Sequence, residues 1–273
     1  MEKEDLRKVQ LIQLEILKEA VRICDRHNID YWLAGGTQLG AVRHNGFIPW
    51  DDDLDIAMLR ANYEKFLHFA SKELDTQYYL QEWRLDEKYG LPFTKIRKRN
   101  TLFVEAASQN TKSNKGIYID VFVYDKYPQN KDKLKDIKYY MENVFRLILM
   151  KYNYSPWETN NGFNLKKWIG YLPIKLLAIL KNGKKMKQAY IKAVTVANTS
   201  NSDLVFNSCE PMGENHPINI DIVAHLMKHK FEDGEFLIPV RYDDYLKSCF
   251  GEYMKLPPEN ERENRHGIIK LKF

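Results

Sequence analysis

Four of the five residues from Asp51 to Asp55 are aspartates, and the fifth, Leu54, is aliphatic. In a strand, residues two apart share a face. Asp53 and Asp55 would then project one way while Leu54 and Ile56 face a core. If the strand reaches further back, Asp51 joins them and Asp52 points away. Carboxylates packed this closely repel one another unless a cation lies among them, and a divalent metal is the natural agent.

Asp120 repeats the anomaly in the middle of IYIDVFVY, residues 117–124. There Ile117, Ile119, Val121 and Val123 share one face, and Tyr118, Asp120, Phe122 and Tyr124 the other;. Two such strands side by side would hold hard cations that clamp the attacking and leaving oxygens of a phosphoryl transfer. Mg²⁺ fits best and Mn²⁺ next, because such ions take one or two carboxylates together with water and phosphate oxygens. The competing reading is a solvated acidic turn with Asp120 in a buried salt bridge. A calcium loop fits poorly, since Ile56 stands where that loop needs glycine and Asn62 where it needs a bidentate glutamate;.

Other candidates surround these carboxylates. Gly35-Gly36-Thr37 follows an apolar run at 31–34 and opens a short helix, where backbone N–H groups and the helix dipole favour phosphate;. Arg43 and His44 lie at the far end of that helix, ahead of Asn45-Gly46, placed to reach a phosphate or to serve as C-terminal helix cations;. Lys95 and Arg97 share a strand face and are candidates to grip a diphosphate, or else belong to a solvated edge strand;. Trp50, Tyr118 and Tyr124 would suit a cage for a quaternary ammonium, although ordinary packing is the better reading of each;.

Periodicity predicts helices over 4–28 and 62–74, and strands at 31–34, 53–58, 77–83, 93–98, 101–105 and 117–124;. Thr37 to Arg43 suits a short helix between the first two strands. After Pro128 the chain becomes helical and basic over 131–152, 164–181 and 184–198. From about 203 it looks irregular, with helical stretches near 219–229 and 242–250. The fold class is α/β, in its α+β form: a mixed sheet flanked by helices in residues 1–128, with a mainly helical region at 129–273 packing on it. The boundary is soft and leaves a single domain open.

A formal net charge of +5 favours anionic partners, and no nucleic-acid motif is present;. Cys24, Cys209 and Cys249 are too few and too scattered for a disulfide framework;. There is no apolar run of spanning length and no signal-like N-terminus, so a cytoplasmic location is expected;. Residues 164–187 combine seven lysines with Trp168, Leu172, Leu176 and other apolar side chains. They read as a helix able to rest on the inner leaflet of the plasma membrane, or as a kinked core helix broken at Pro173.

The blocks 35–44 and 46–56, with the strand Tyr118-Ile119-Asp120-Val121-Phe122, resemble the LicD family within the DNA polymerase β-like nucleotidyltransferase superfamily. Phe250-Gly251-Glu252-Tyr253-Met254, Leu256-Pro257-Pro258 and Arg265-His266 resemble that family's C-terminal ending. The resemblance implies a nucleotidyltransferase-like fold and transfer of a phospho-alcohol from a CDP-activated donor to a sugar hydroxyl, with CMP released. Phosphocholine from CDP-choline is its first expectation, with ethanolamine, glycerol and ribitol behind it. The acceptor would be a teichoic acid, lipopolysaccharide or capsule precursor, lipid-linked or free. By position, Asp53 and Asp55 would bind the metal, Asp120 would complete the site as ligand or base, and Asp51 would assist. Two alternatives stay open: an enzyme that adenylylates a small molecule, and a module that binds nucleotide or metal without turnover.

Overall fold

The computed structural model describes residues 1–159, 162–210, 217–263 and 267–273. Helix α1 (Lys3–His27) buries Val9, Ile16, Leu17, Ala20 and Ile23 along one face. It stops at Asn28, whose left-handed backbone closes the last turn;. There follow β1 (Trp32–Leu33), α2 (Gly35–His44), β2 (Asp55–Leu59), α3 (Arg60–Glu73), β3 (Tyr78–Gln81), β4 (Thr94–Lys98), β5 (Leu102–Glu105) and β6 (Tyr118–Lys126). Next come α4 (Lys131–Tyr139), a π-helical turn at Tyr140–Val144, α5 (Phe145–Lys151), β7 (Glu158–Thr159), β8 (Gly162–Phe163), α6 (Leu165–Leu180) and α7 (Gly183–Thr195). The chain ends with β9 (Leu204–Asn207), β10 (Ile218–Asn219), β11 (Leu226–Phe231), β12 (Gly234–Pro239), α8 (Tyr242–Phe250) and β13 (Ile268–Lys272).

The main sheet runs β1-β2-β6-β4-β3. Among the described residues only the β2–β6 pair of this sheet is parallel, so the sheet is mixed. Strand β6 is long enough to take two neighbours along one edge: β4 against Tyr118 to Val121, then β9 against Tyr124 to Lys126. Strand alternation sorts the two faces. Ile56, Met58, Ile119, Val121 and Val123 pack with Leu17, Ala20 and Ile23 of α1 and with Tyr63 and Phe66 of α3. On the opposite face Trp32, Ala57, Phe122 and Tyr124 pack with Leu39 of α2 and with Tyr245 and Leu246 of α8.

The part after residue 128 carries α4 to α8. It also supplies β9 to the main sheet and β13 to β5. A third apolar cluster joins Ile137, Met141, Met186, Tyr190 and Val194 to Trp83, Tyr89 and Phe206. The helical stretch expected near 219–229 is replaced by a 3₁₀ turn at Ile220–Ile222 and the start of a β-hairpin. Asn219 caps the turn by accepting from the Asp221 N–H, and the hairpin buries Phe231, Phe236 and Ile238. Helix α6 is continuous through Pro173 rather than broken there. Arg265 and His266 lie outside the described residues.

Candidate active site

The β2–β6 register sets Asp55 directly beside Asp120 on adjacent parallel strands. Two backbone bonds fix this level: the Asp120 N–H donates to the Leu54 carbonyl at 2.9 Å, and the Ala34 N–H to the Asp55 carbonyl at 3.0 Å. The Thr37 hydroxyl oxygen accepts from the Asp55 N–H at 2.8 Å. Buried Thr37 therefore holds the strand's first residue in place. Strand β2 starts at Asp55, so Asp53 lies in the extended segment ahead of it rather than within the strand. Asp51, Asp53 and Asp55 nevertheless line one cleft of about 450 Å³.

That cleft is completed by Gly36, Leu39, Arg43 and Trp50 from the early chain, and by Phe250, Glu252, Tyr253, Lys255, Leu256 and Pro258 from the tail. Gly35 stands at φ +50, a conformation glycine adopts without strain, and begins α2 two residues earlier than the sequence suggested;. A Cβ on Gly36 would fall 2.8 Å from the Asp51 carboxylate, so any side chain there would push that carboxylate out of its place in the cleft. Tyr245 of α8 accepts the Gly35 N–H at 3.3 Å.

The segment carrying the aspartates is pinned from below by α1. Gln10 donates to the Asp51 carbonyl at 2.9 Å, and Gln13 to the Asp52 carbonyl at 2.8 Å. Both glutamines are buried. Their role had no local signature, because a glutamine on a helix flank reads as ordinary amphipathicity. Glu232, at the β11–β12 turn, accepts from the Phe47 N–H at 3.1 Å and pairs with Arg7.

Electrostatics set the character of the site. Burial pushes the Asp55 carboxyl well above its ordinary value, and the neighbouring Asp53, Asp120 and Asp51 push it further;. Asp120 is also raised by burial, against the pull of Lys95. Lys95 donates to both Asp120 oxygens, at 2.7 and 2.9 Å, and lies 3.3 Å above the Tyr118 ring. Arg97 donates to Gln81 and to the Gly116 carbonyl, and the Tyr118 hydroxyl to Glu105. Lys95, Arg97 and Tyr118 thus form a buried layer around Asp120, and they and the buried Asp120 all stand behind Asp55 rather than on the cleft wall.

Arg43 bridges the two halves of the cleft by donating to the Tyr253 carbonyl at 2.7 Å, and its Nε donates to His44 Nε2 at 3.0 Å. Burial and adjacent Arg43 lower the His44 pKa, consistent with a neutral ring that accepts this bond. Of the three aromatics expected near the site, Trp50 lines the cleft. Arg262 already lies over its face at 5.7 Å. Tyr124 packs against Trp32 instead.

Among the described residues, no three Cys, His, Asp or Glu side chains form a ready-made group for a metal ion. The donor chemistry still fits a hydrated Mg²⁺: hard carboxylate oxygens of Asp51, Asp53 and Asp55 open on one cleft, and such an ion keeps water and borrows phosphate oxygens;.

Comparison with known proteins adds an independent line. Residues 28–158 match the LicD/FKTN/FKRP nucleotidyltransferase domain. The chain is 29% identical over 269 residues to the lipopolysaccharide cholinephosphotransferase LicD of Haemophilus influenzae, covering 97% of both chains. It is 31% identical over 119 residues to the uncharacterized protein RP689 of Rickettsia prowazekii, across 42% of this chain and 40% of that one. A shorter match, 41% over 44 residues, relates 16% of this chain to 9% of the human ribitol 5-phosphate transferase FKRP.

Proposed function

Because the chain belongs to the LicD family through its nucleotidyltransferase domain, we propose that it is a phosphotransferase moving a phospho-alcohol from a CDP-activated donor to a hydroxyl of a cell-surface glycan. The observation that carries this reading is the cleft in which a glycine-opened helix, three aspartates and the C-terminal tail meet. In the proposed reaction, the acceptor oxygen forms a bond to the phosphorus that bears the alcohol. The bond from that phosphorus to the bridging oxygen breaks, CMP leaves with the electron pair, and the acceptor hydroxyl gives up its proton. Attack at the other phosphorus would transfer the nucleotide instead.

Asp53 and Asp55, helped by Asp51, are the residues we assign to a Mg²⁺ ion. Bound there, it would neutralise charge on the phosphates. Gly35 and Gly36 keep the start of α2 open for phosphate. Arg43 holds the tail against α2 and presents positive charge at the cleft edge. Asp120, raised by burial and fixed by Lys95, completes the centre either as a further ligand or as the base for the acceptor proton;. Asp120→Asn separates these roles: loss of turnover with metal binding intact marks a base, and loss of both marks a ligand.

Choline is the favoured alcohol. Trp50 and Phe250 share the cleft with Glu252, Glu261 and Glu263, a set suited to a quaternary ammonium;. Lipopolysaccharide is the first acceptor to try, given the name of the full-length relative, with teichoic acid and capsule precursors next. Mass spectrometry of the acceptor after reaction tests the proposal. A phosphocholine mass increment supports it, whereas a nucleotide increment favours adenylylation or another nucleotidyl transfer.

A further inference from the structure

Helix α6 has two apolar faces, and the body of the protein covers one of them. Trp168, Tyr171, Ile174 and Ala178 pack inward with Met150 and Trp157. On the opposite side Leu165, Ile169, Leu172, Leu176, Ile179 and Leu180 recur at helical spacing, with exposures between 38 and 83%;. Scattered exposed leucines are ordinary, but six large aliphatic side chains in one stripe mark a contact surface.

Charge identifies what the stripe meets. Residues 159–202 contain eight lysines and no aspartate or glutamate. Lys166 and Lys175 flank the stripe, Lys181, Lys184 and Lys185 follow its end, and all five are exposed. Among the described residues none of these lysines is in an ion pair. An apolar stripe bordered by one sign of charge complements a surface that is anionic outside and apolar beneath. Among the described residues no helix is long and apolar enough to cross a membrane, so α6 would lie along such a surface.

We propose that α6 seats this protein on anionic phospholipid bilayers, with the Leu165 to Leu180 stripe at the acyl boundary and its lysines among the headgroups. The inference is independent of the reaction assigned above, because binding is read without turnover.

The test is sedimentation with vesicles of phosphatidylcholine alone and with about 30% phosphatidylglycerol added. Wild-type protein should pellet with the anionic vesicles and be released by high salt. Leu176→Ser/Leu180→Ser should cut vesicle binding by at least about tenfold while circular dichroism stays unchanged. Lys181→Gln/Lys184→Gln/Lys185→Gln should remove the preference for anionic vesicles. Wild-type protein that stays in the supernatant, or stripe variants that pellet like wild type, would overturn the proposal. So would a vesicle-free dimer that the stripe variant converts to monomer, since the occupant would then be a second copy of this chain.

Discussion

Lys95 donates to both carboxylate oxygens of Asp120, at 2.7 and 2.9 Å, across a strand register that places the two residues opposite each other. Asp120 in turn stands beside Asp55 on the next strand. One cation therefore sits on the far side of an acidic pair, which leaves the near side to carry the remaining negative charge.

Removing that cation should be costly. Lys95→Met leaves a buried carboxyl without its partner and should destabilise the protein by about 3 kcal/mol. The Lys95→Met/Asp120→Asn double variant should recover most of the loss. Urea denaturation of the four members of the cycle checks this; a double variant no more stable than the single would mean that pairing is not what the lysine supplies.

Asp55 should show the opposite sign. Its carboxyl is raised in the folded state, so the folded protein holds that proton more tightly than the unfolded chain;. The ionised group is therefore a cost that appears as pH rises above the ordinary value of 3.8 and is complete above the raised value. In chelator at neutral pH, Asp55→Asn should raise Tm by about 2–4 °C, and with Mg²⁺ supplied the same variant should lack turnover. Thermal scans at neutral pH and below 3.8 should show the gain only in the former.

Gly36 and Gly40 constrain the site differently. A Cβ on Gly40 would lie 2.5 Å from the Gly46 carbonyl oxygen, a backbone atom with little room to move. Gly40→Ala should lower stability by about 2–3 kcal/mol. Gly36→Ala meets the Asp51 carboxylate, a side chain that can swing aside, so it should fold and lose activity. Chemical denaturation and a turnover assay on both variants distinguish the two outcomes.

The Arg7–Glu232 pair ties α1 to the turn that holds Phe47. Hydrogen bonding to Arg7 pulls the Glu232 carboxyl below its ordinary 4.5. Its contribution is present above pH 4.5 and is lost as pH falls through the lowered value. Glu232→Gln should cost about 1 kcal/mol near neutrality, since the pair is partly solvated, and nothing in strong acid. Urea midpoints measured at both pH values test the sign.

The acidic centre was legible because its signal is local: aspartate alternating with aliphatic residues is a conflict that any strand must resolve. The same alternation placed Tyr118, Asp120, Phe122 and Tyr124 on one face, as found. What escaped was long-range. Lys95 and Arg97 share a face as read, but only the β4–β6 register shows that Lys95 faces Asp120 and that both are buried. The anchoring of Asp51 and Asp52 by Gln10 and Gln13 spans about forty residues, and nothing in α1 signals it. Near 219–229 the chain reads locally as a helix. There the burial of Phe231, Phe236 and Ile238 in a hairpin outweighs local preference;.

The most direct measurement is CMP release from a panel of CDP-alcohols with Mg²⁺ and a glycan acceptor, run with wild type, Asp53→Asn and Asp120→Asn. The account expects acceptor-dependent CMP from one donor, CDP-choline first, falling by at least about 100-fold in both variants. No CMP from any donor, or release that persists undiminished in Asp53→Asn, would contradict it.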